Sequence, residues 1–187
     1  MEALIILKGS LQDLNLEIQE ERCKLFVQLY SIISQWQGDL PNLRLIFQSN
    51  EIDWFLTEAI TNEEISIDVT VTFVNFVIST GYKDQPERDE SVNPSTRRVT
   101  PIHHASRKNL TEIVHKLFSV YDNFDVNYID ESGLTHCHVA CMFGLENYVQ
   151  KFLKHGQDPN HLVGPPLHLS LAYRCERVAR VLLSNGR

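Results

Sequence analysis

The sequence predicts an all-α protein: a helical N-terminal region followed by a solenoid of short helix pairs. Three observations predict it. First, the stretch Thr100-Pro101-Ile102-His103-His104-Ala105 recurs, with substitutions, as Thr135-His136-Cys137-His138-Val139-Ala140 and as Pro165-Pro166-Leu167-His168-Leu169-Ser170. Second, these copies start 35 and then 30 residues apart, within the range in which each repeat is one supersecondary unit stacked on the next. Third, most of the apolar residues upstream of the copies recur at helical spacing.

Composition bounds the rest. The chain has 187 residues, 43% hydrophobic and 22% charged, as in an ordinary soluble protein of one domain or two small ones. The net charge of −7 is uneven: residues 1–99 hold 8 basic and 16 acidic residues, and residues 100–187 hold 9 and 8. An acidic front half and a near-neutral back half provide no basic face for a nucleic-acid backbone. Four cysteines (Cys23, Cys137, Cys141, Cys175) are too few and scattered for a secreted disulfide scaffold, so a reducing, cytoplasmic setting is expected. The apolar start Ala3-Leu4-Ile5-Ile6-Leu7 is short, follows Glu2 and lacks a basic n-region, unlike a signal peptide. No apolar run approaches the roughly 18 residues of a membrane span.

Residues 10–36 predict one long amphipathic helix. Ser10 is placed to cap it, with Asp13 in the first turn. Leu11, Leu14, Ile18, Leu25, Leu29, Ile32 and Trp36 form the apolar stripe, widened by Phe26, Tyr30 and Ile33. That stripe could serve dimerisation or a partner helix; packing on residues 43–79 as a core is the favoured reading. Gln37-Gly38-Asp39 ends the helix, and Pro41 suits the first turn of a following element. A short apolar segment, 42–48, precedes a helix over about 50–61, with Ser49 or Asn50 as cap. Residues 65–79 are ambiguous. Val69, Val71 and Phe73 alternate as in a strand, while Phe73, Val74, Phe76, Val77 and Ile78 suit a buried helix. Helix is favoured, because a lone strand has no evident partner and a helical segment would cap an array. Gly81 terminates it, and the polar, proline-punctuated stretch 82–98 forms a linker loop. The predicted organisation is therefore 1–81 helical region, 82–98 linker and 99–187 repeats (about 99–131, 132–163 and a truncated 164–187).

The period and the T-P-L-H-x-A pattern carry a family resemblance: residues 100–187 resemble three consecutive ankyrin repeats, a solenoid of helix-turn-helix units with β-turn or hairpin connections. The copies align residue by residue. His103, His138 and His168 open the inner helices; Ile113-Val114, Tyr148-Val149 and Val178 begin the outer stripes; Leu117-Phe118, Phe152-Leu153 and Leu182-Leu183 end them. Length changes fall between helices, where they are tolerated. Two departures bear on how tightly the repeats close. The inter-helix Gly144 is Asn109 in the first copy and Arg174 in the third, and Arg is unsuited to a left-handed backbone. His136 replaces the helix-opening proline of the second.

The resemblance implies that the signature histidine links neighbouring repeats by hydrogen bonds, a reading applied to all three copies. It is favoured over zinc ligation by His136, Cys137, His138 and Cys141. No G-x-S-x-G, H-E-x-x-H, P-loop or G-x-G-x-x-G pattern is present. Cys141 and Cys175 lie in apolar helical patterns that suit inert thiols better than nucleophiles. No catalytic residue, cofactor or metal is expected, and the chain is not expected to be an enzyme. The resemblance implies instead an adaptor or scaffold module that binds a protein partner on a concave face. Carried onto matching positions, the partner-binding residues are Glu131, Ser132 and Leu134 at a turn tip and Arg107, Lys108, Met142, Phe143 and Tyr173 at inner-helix ends. An alternative is that these residues begin a longer ankyrin-repeat scaffold or channel protein, since the sequence stops in a closing turn at Asn185-Gly186-Arg187.

Overall fold

The computed structural model describes residues 5, 8–9, 18–86, 97–158 and 166–185. Among them the regular elements are helical. Helices α1 (Gln19–Ser34), α2 (Ser49–Thr61) and α3 (Ile67–Ser79) come first, with a 3-10 turn (Leu43–Leu45) between α1 and α2. Then follow α4 (Pro101–Arg107), α5 (Thr111–Leu117), α6 (His136–Met142), α7 (Glu146–Lys154), α8 (Pro166–Ala172) and α9 (Glu176–Asn185). The chain divides into two compact units, Met1–Asp84 and Gln85–Arg187.

In the first unit α1, α2 and α3 pack pairwise. The stripe of α1 is buried as Leu25, Phe26, Leu29 and Ile33. It meets Phe73, Val74, Phe76 and Val77 of α3 and Phe55, Leu56 and Ala59 of α2, all buried. Edge-to-face ring pairs order this core, with Phe26–Phe73 centroids 5.3 Å apart and Phe47–Phe55 centroids 5.5 Å apart. The wide apolar face of α1 therefore finds a core in its own unit. Residues 65–79, ambiguous by pattern, are helical from Ile67, and Ser66 caps them by accepting the Val69 N–H. Burial overrides β-branched propensity here: Thr70 sends its hydroxyl to the Ala59 carbonyl at 2.6 Å, which satisfies the polar atom inside the core.

Two boundaries differ from the sequence expectation. The helix predicted from residue 10 does not pass through Ile18, whose backbone is extended (φ −85, ψ 117). Glu20 and Glu21 instead occupy the first turn of a helix starting at Gln19, where carboxylates suit the dipole. Ser10, Leu11, Asp13 and Leu14 lie outside the described residues. The cap of α2 is Gln48, not Ser49 or Asn50; Glu51 reaches back to the Gln48 N–H at 2.7 Å, the capping-box arrangement. Of the predicted linker, residues 87–96 lie outside the described residues.

The second unit is three helix pairs: α4–α5, α6–α7 and α8–α9. First helices pack side by side, α4 on α6 and α6 on α8. Most of these helices have only seven residues, too few to persist alone, so they depend on their neighbours. Isolated bridges pair Arg97 with Ile129 and Ile129 with Thr135, forming the connection between the first two pairs. The longer excursion after Phe118 is filled by buried Val120, Tyr121 and Phe124.

The same turn joins the helices of each pair. Asn109, Gly144 and Arg174 are all left-handed, at φ 54, 68 and 58. The residue after each donates five residues back: Leu110 to Ala105 at 3.0 Å, Leu145 to Ala140 at 2.9 Å and Cys175 to Ser170 at 2.7 Å. This is a Schellman-type closure. It corrects the sequence expectation for Arg174, because the closing bond and the packing of α8 on α9 hold Arg in a conformation it disfavours. Gly144 has a further reason to lack a side chain: a Cβ there would lie 3.3 Å from the Cys175 sulfur. Arg174→Gly is therefore expected to stabilise the protein by about 0.5–1 kcal/mol. Gly144→Ala is expected to destabilise it by about 1–2 kcal/mol, both read from urea unfolding followed by circular dichroism.

Candidate functional site

The signature residues are spent on structure. At the start of α4, Thr100 N–H donates to His103 Nδ1 at 3.1 Å, so Nδ1 carries no proton. Nε2 is then the donor to the Leu134 carbonyl, 3.1 Å away in the next connection. One imidazole thus caps its own helix and ties the first repeat to the second. In the second copy Thr135 Oγ1 accepts the His138 N–H at 3.1 Å, and His138 Nδ1 accepts the Thr135 N–H at 3.2 Å. In the third copy His168 is exposed, and Pro165, which stands where Thr100 and Thr135 stand, lies outside the described residues.

His136, in place of a proline, is fully buried among His103, Phe118, Tyr121 and Tyr128, whose ring centroids lie 4.9 to 6.0 Å away. Its Nε2 sits 2.7 Å from Thr100 Oγ1. Burial, opposed by Asp130, lowers the His103 pKa to about 4, and burial holds His136 well below the ordinary imidazole range. One ring nitrogen of each histidine in this pair is thus committed to a helix start, His136 Nε2 at Thr100 and His138 Nδ1 at Thr135. Among the described residues no three His, Cys, Asp or Glu side chains group as a metal site. The thiols are similarly placed: Cys137 and Cys141 are buried, and the hydrogen bond with Cys137, followed by burial, pushes Cys141 upward, away from thiolate character. Cys175 is raised by burial.

None of the eight residues assigned to partner binding is buried. Arg107, Lys108, Glu131, Ser132 and Tyr173 are exposed; Leu134, Met142 and Phe143 are half-buried. Lys108 and Phe143 are the C-caps of α4 and α6, and Tyr173 holds the matching place after α8. These three follow one another along adjacent first helices. Arg107 and the tip residues are joined by Asp130, which the sequence reading did not single out. Its buried carboxylate accepts from Arg107 Nη2 at 2.7 Å, from Ser132 N–H at 2.9 Å, from Ser132 Oγ at 2.7 Å and from Leu134 N–H at 2.9 Å. Burial alone would raise this carboxyl, but the Ser132, Leu134 and Arg107 hydrogen bonds outweigh it and hold its pKa below the usual value. The available signal was Asp130-x-Ser132-Gly133, an Asx-turn composition. Beside it His104, half-buried, is lowered first by burial and then by Arg107 and Lys108.

Two outcomes follow from this chemistry. His103 and His136 are neutral when folded and titrate normally when unfolded. Between about pH 6.5 and the folded His103 value of about 4 the unfolded chain therefore binds more protons. The His103 contribution is complete above that window and is lost as pH falls through it, and the His136 contribution is lost in the same direction. Unfolding free energy measured in urea is expected to decline across it, and His103→Gln is expected to flatten the slope. Asp130→Ala is expected to cost about 1–3 kcal/mol and to accelerate hydrogen exchange at the Ser132 and Leu134 amides.

A family model described as ankyrin repeats (3 copies) matches residues 70–163 and also residues 102–187. The first match begins inside α3, upstream of residue 99, where the sequence reading starts the repeats. No curated protein matches the chain. Ankyrin repeats are generally protein–protein interaction modules. With residues 70–187 matched, well over half of the 187, and the paired helices, shared turns and capping histidines in place, the chain belongs to the ankyrin-repeat family.

Proposed function

We propose that this protein is an interaction module, an adaptor or scaffold element, that holds a protein partner along the concave side of its ankyrin repeats. The observation that carries this reading is the row formed by Lys108, Phe143 and Tyr173. Each occupies the same turn at the end of a first helix, successive first helices pack side by side, and none of the three is buried. Arg107 and Met142 precede two of these residues. The Asp130 carboxylate joins Arg107 to the tip that carries Glu131, Ser132 and Leu134. The residues that the fold consumes, Thr100, His103, Thr135 and His138, lie at the starts of the first helices, and the less buried residues lie at their ends.

Aromatic side chains bring large contact area at low entropic cost and dominate interface energetics, so Phe143 and Tyr173 are the anchors. Met142 is an adaptable neighbour. Arg107 contributes mainly by shaping, since its guanidinium already holds Asp130, and Ser132 likewise spends its hydroxyl there. Residues 99–187 are the binding part on this reading. The four free thiols support a reducing, cytoplasmic setting.

Affinity capture with the full chain as bait tests the surface. Phe143→Ala and Tyr173→Ala are each expected to weaken the captured partner by about ten-fold or more. Asp130→Ala is expected to have a smaller effect, through the tip. Partners retained by both aromatic variants as well as by the wild type would rule this surface out.

A further inference from the structure

The second helices carry a charged cluster that the row at the first-helix ends does not use. Helices α7 and α9 pack against each other. An open groove of about 520 Å³ lies between them, lined by Glu146 of α7 and by Arg177, Arg180, Val181 and Ser184 of α9. Arg177 and Arg180 are three residues apart and so share one side of their helix, the side that borders α7 of the preceding repeat. Both are exposed, while Glu146 and Val181 are half-buried. Among the described residues neither guanidinium is hydrogen-bonded or ion-paired.

These two charges are new to the third repeat. In the second repeat the places of Arg177 and Arg180 are held by the neutral Asn147 and Gln150. The place of Val181 is held by Lys151, whose ammonium lies 5.0 Å over the Phe124 ring and 5.3 Å over the Tyr148 ring. Phe124 in turn meets Phe152 at 5.0 Å. Between the first two repeats, then, aromatic rings occupy this level of the second helices. Between the second and third, the groove stays open and two guanidiniums border it. The other polar groups are partly spent: Ser184 Oγ donates to the Val181 carbonyl at 2.8 Å, and Gln150 Nε2 donates to Glu146 Oε1 at 3.3 Å. Two cations and one carboxylate leave the groove with one net positive charge.

We propose that this groove is a docking site for one carboxylate side chain of a protein partner, seated across Arg177 and Arg180. The planar N–H fork of a guanidinium matches a carboxylate, and two forks one helical turn apart can share its oxygens. Glu146, on the opposite helix, sets the charge of the ligand. One negative charge is balanced, whereas a second, as on a phosphate dianion, meets a like charge. The matched partner is therefore an acidic segment rather than a phosphorylated one. Val181 offers apolar contact to the methylenes of a glutamate. An open groove with exposed arginines does not enclose a small molecule, so the carboxylate belongs to a segment that makes further contacts beyond the groove. The site lies on the second helices, and it does not depend on binding along Lys108, Phe143 and Tyr173.

Titration of the full chain with two short blocked peptides tests the site, one alternating glutamate with glycine and the other glutamine with glycine. The readout is the Nε–Hε resonances of Arg177 and Arg180. The glutamate peptide is expected to shift both resonances and the glutamine peptide neither. Arg177→Gln and Arg180→Gln, each followed at the remaining arginine, are expected to raise the Kd of the glutamate peptide about ten-fold. Lys154→Gln removes a nearby cation outside the groove and is expected to change that Kd by less than about two-fold, which separates a site from attraction by net charge. Glu146→Gln is expected to let inorganic phosphate compete with the peptide several-fold more strongly than in the wild type. Equal shifts from both peptides, equal losses in K154Q and R177Q, or phosphate competition as strong in the wild type as in E146Q would each overturn the proposal.

Discussion

The second unit depends on one imidazole bridge. His103 has two ring nitrogens and uses them in opposite senses, one accepting from the Thr100 N–H and the other donating to the Leu134 carbonyl. The first bond starts a helix that is too short to start itself. The second fixes where the next connection lies. Both bonds hold only while the ring is neutral, because a proton on Nδ1 would face the N–H that this nitrogen accepts. Burial enforces that neutrality by making the charged ring costly. Local structure, stacking and protonation are therefore one constraint expressed at three levels.

That bridge also explains why the connecting tip is so well determined. Leu134 offers its carbonyl to His103 and its N–H to Asp130. Asp130 in turn holds Ser132 and Arg107. A loop whose backbone groups are assigned in this way is pre-organised, and a pre-organised loop presents its neighbours to a partner at lower entropic cost. Asn127 adds the next link, accepting the Cys137 N–H at the start of α6 and donating to Gln157 at the close of the second repeat. The second repeat is thus positioned by polar side chains of the first, while the apolar stripes of the second helices supply the burial.

Much of this was legible in the sequence because the pattern occurs three times. One T-P-x-H-x-A stretch has many explanations, whereas three at array spacing have few. The copies placed α4, α6 and α8, the turn at Gly144 and the closing Asn127. What was illegible depended on contacts between segments. The left-handed Arg174 contradicts its own propensity, since the bond from Cys175 to Ser170 and the packing around it outweigh the local preference. Asp130 went unnoticed because a lone aspartate near a glycine is common; its importance comes from Arg107, 23 residues away. In the first unit the helical period of α3 was masked by its β-branched residues, and only burial on α1 and α2 settles it.

Repetition and variation divide the work of the chain. Positions that repeat are those whose polar atoms are consumed internally: Thr100 and Thr135, His103 and His138. A residue with no unused hydrogen-bonding capacity and no exposed area has nothing to offer a partner. Positions that vary at the first-helix ends change character along the array, from Arg107-Lys108 through Met142-Phe143 to Ala172-Tyr173. A row that is cationic at one end and aromatic at the other is not equivalent in its two directions. A bound segment lying along it would meet charge first in one orientation and apolar surface first in the other, and like-charge or desolvation penalties would separate the two. Directionality of binding would then come from the very residues that the fold leaves unspecified, and the repeated residues would keep that row straight by holding each helix end at the same turn.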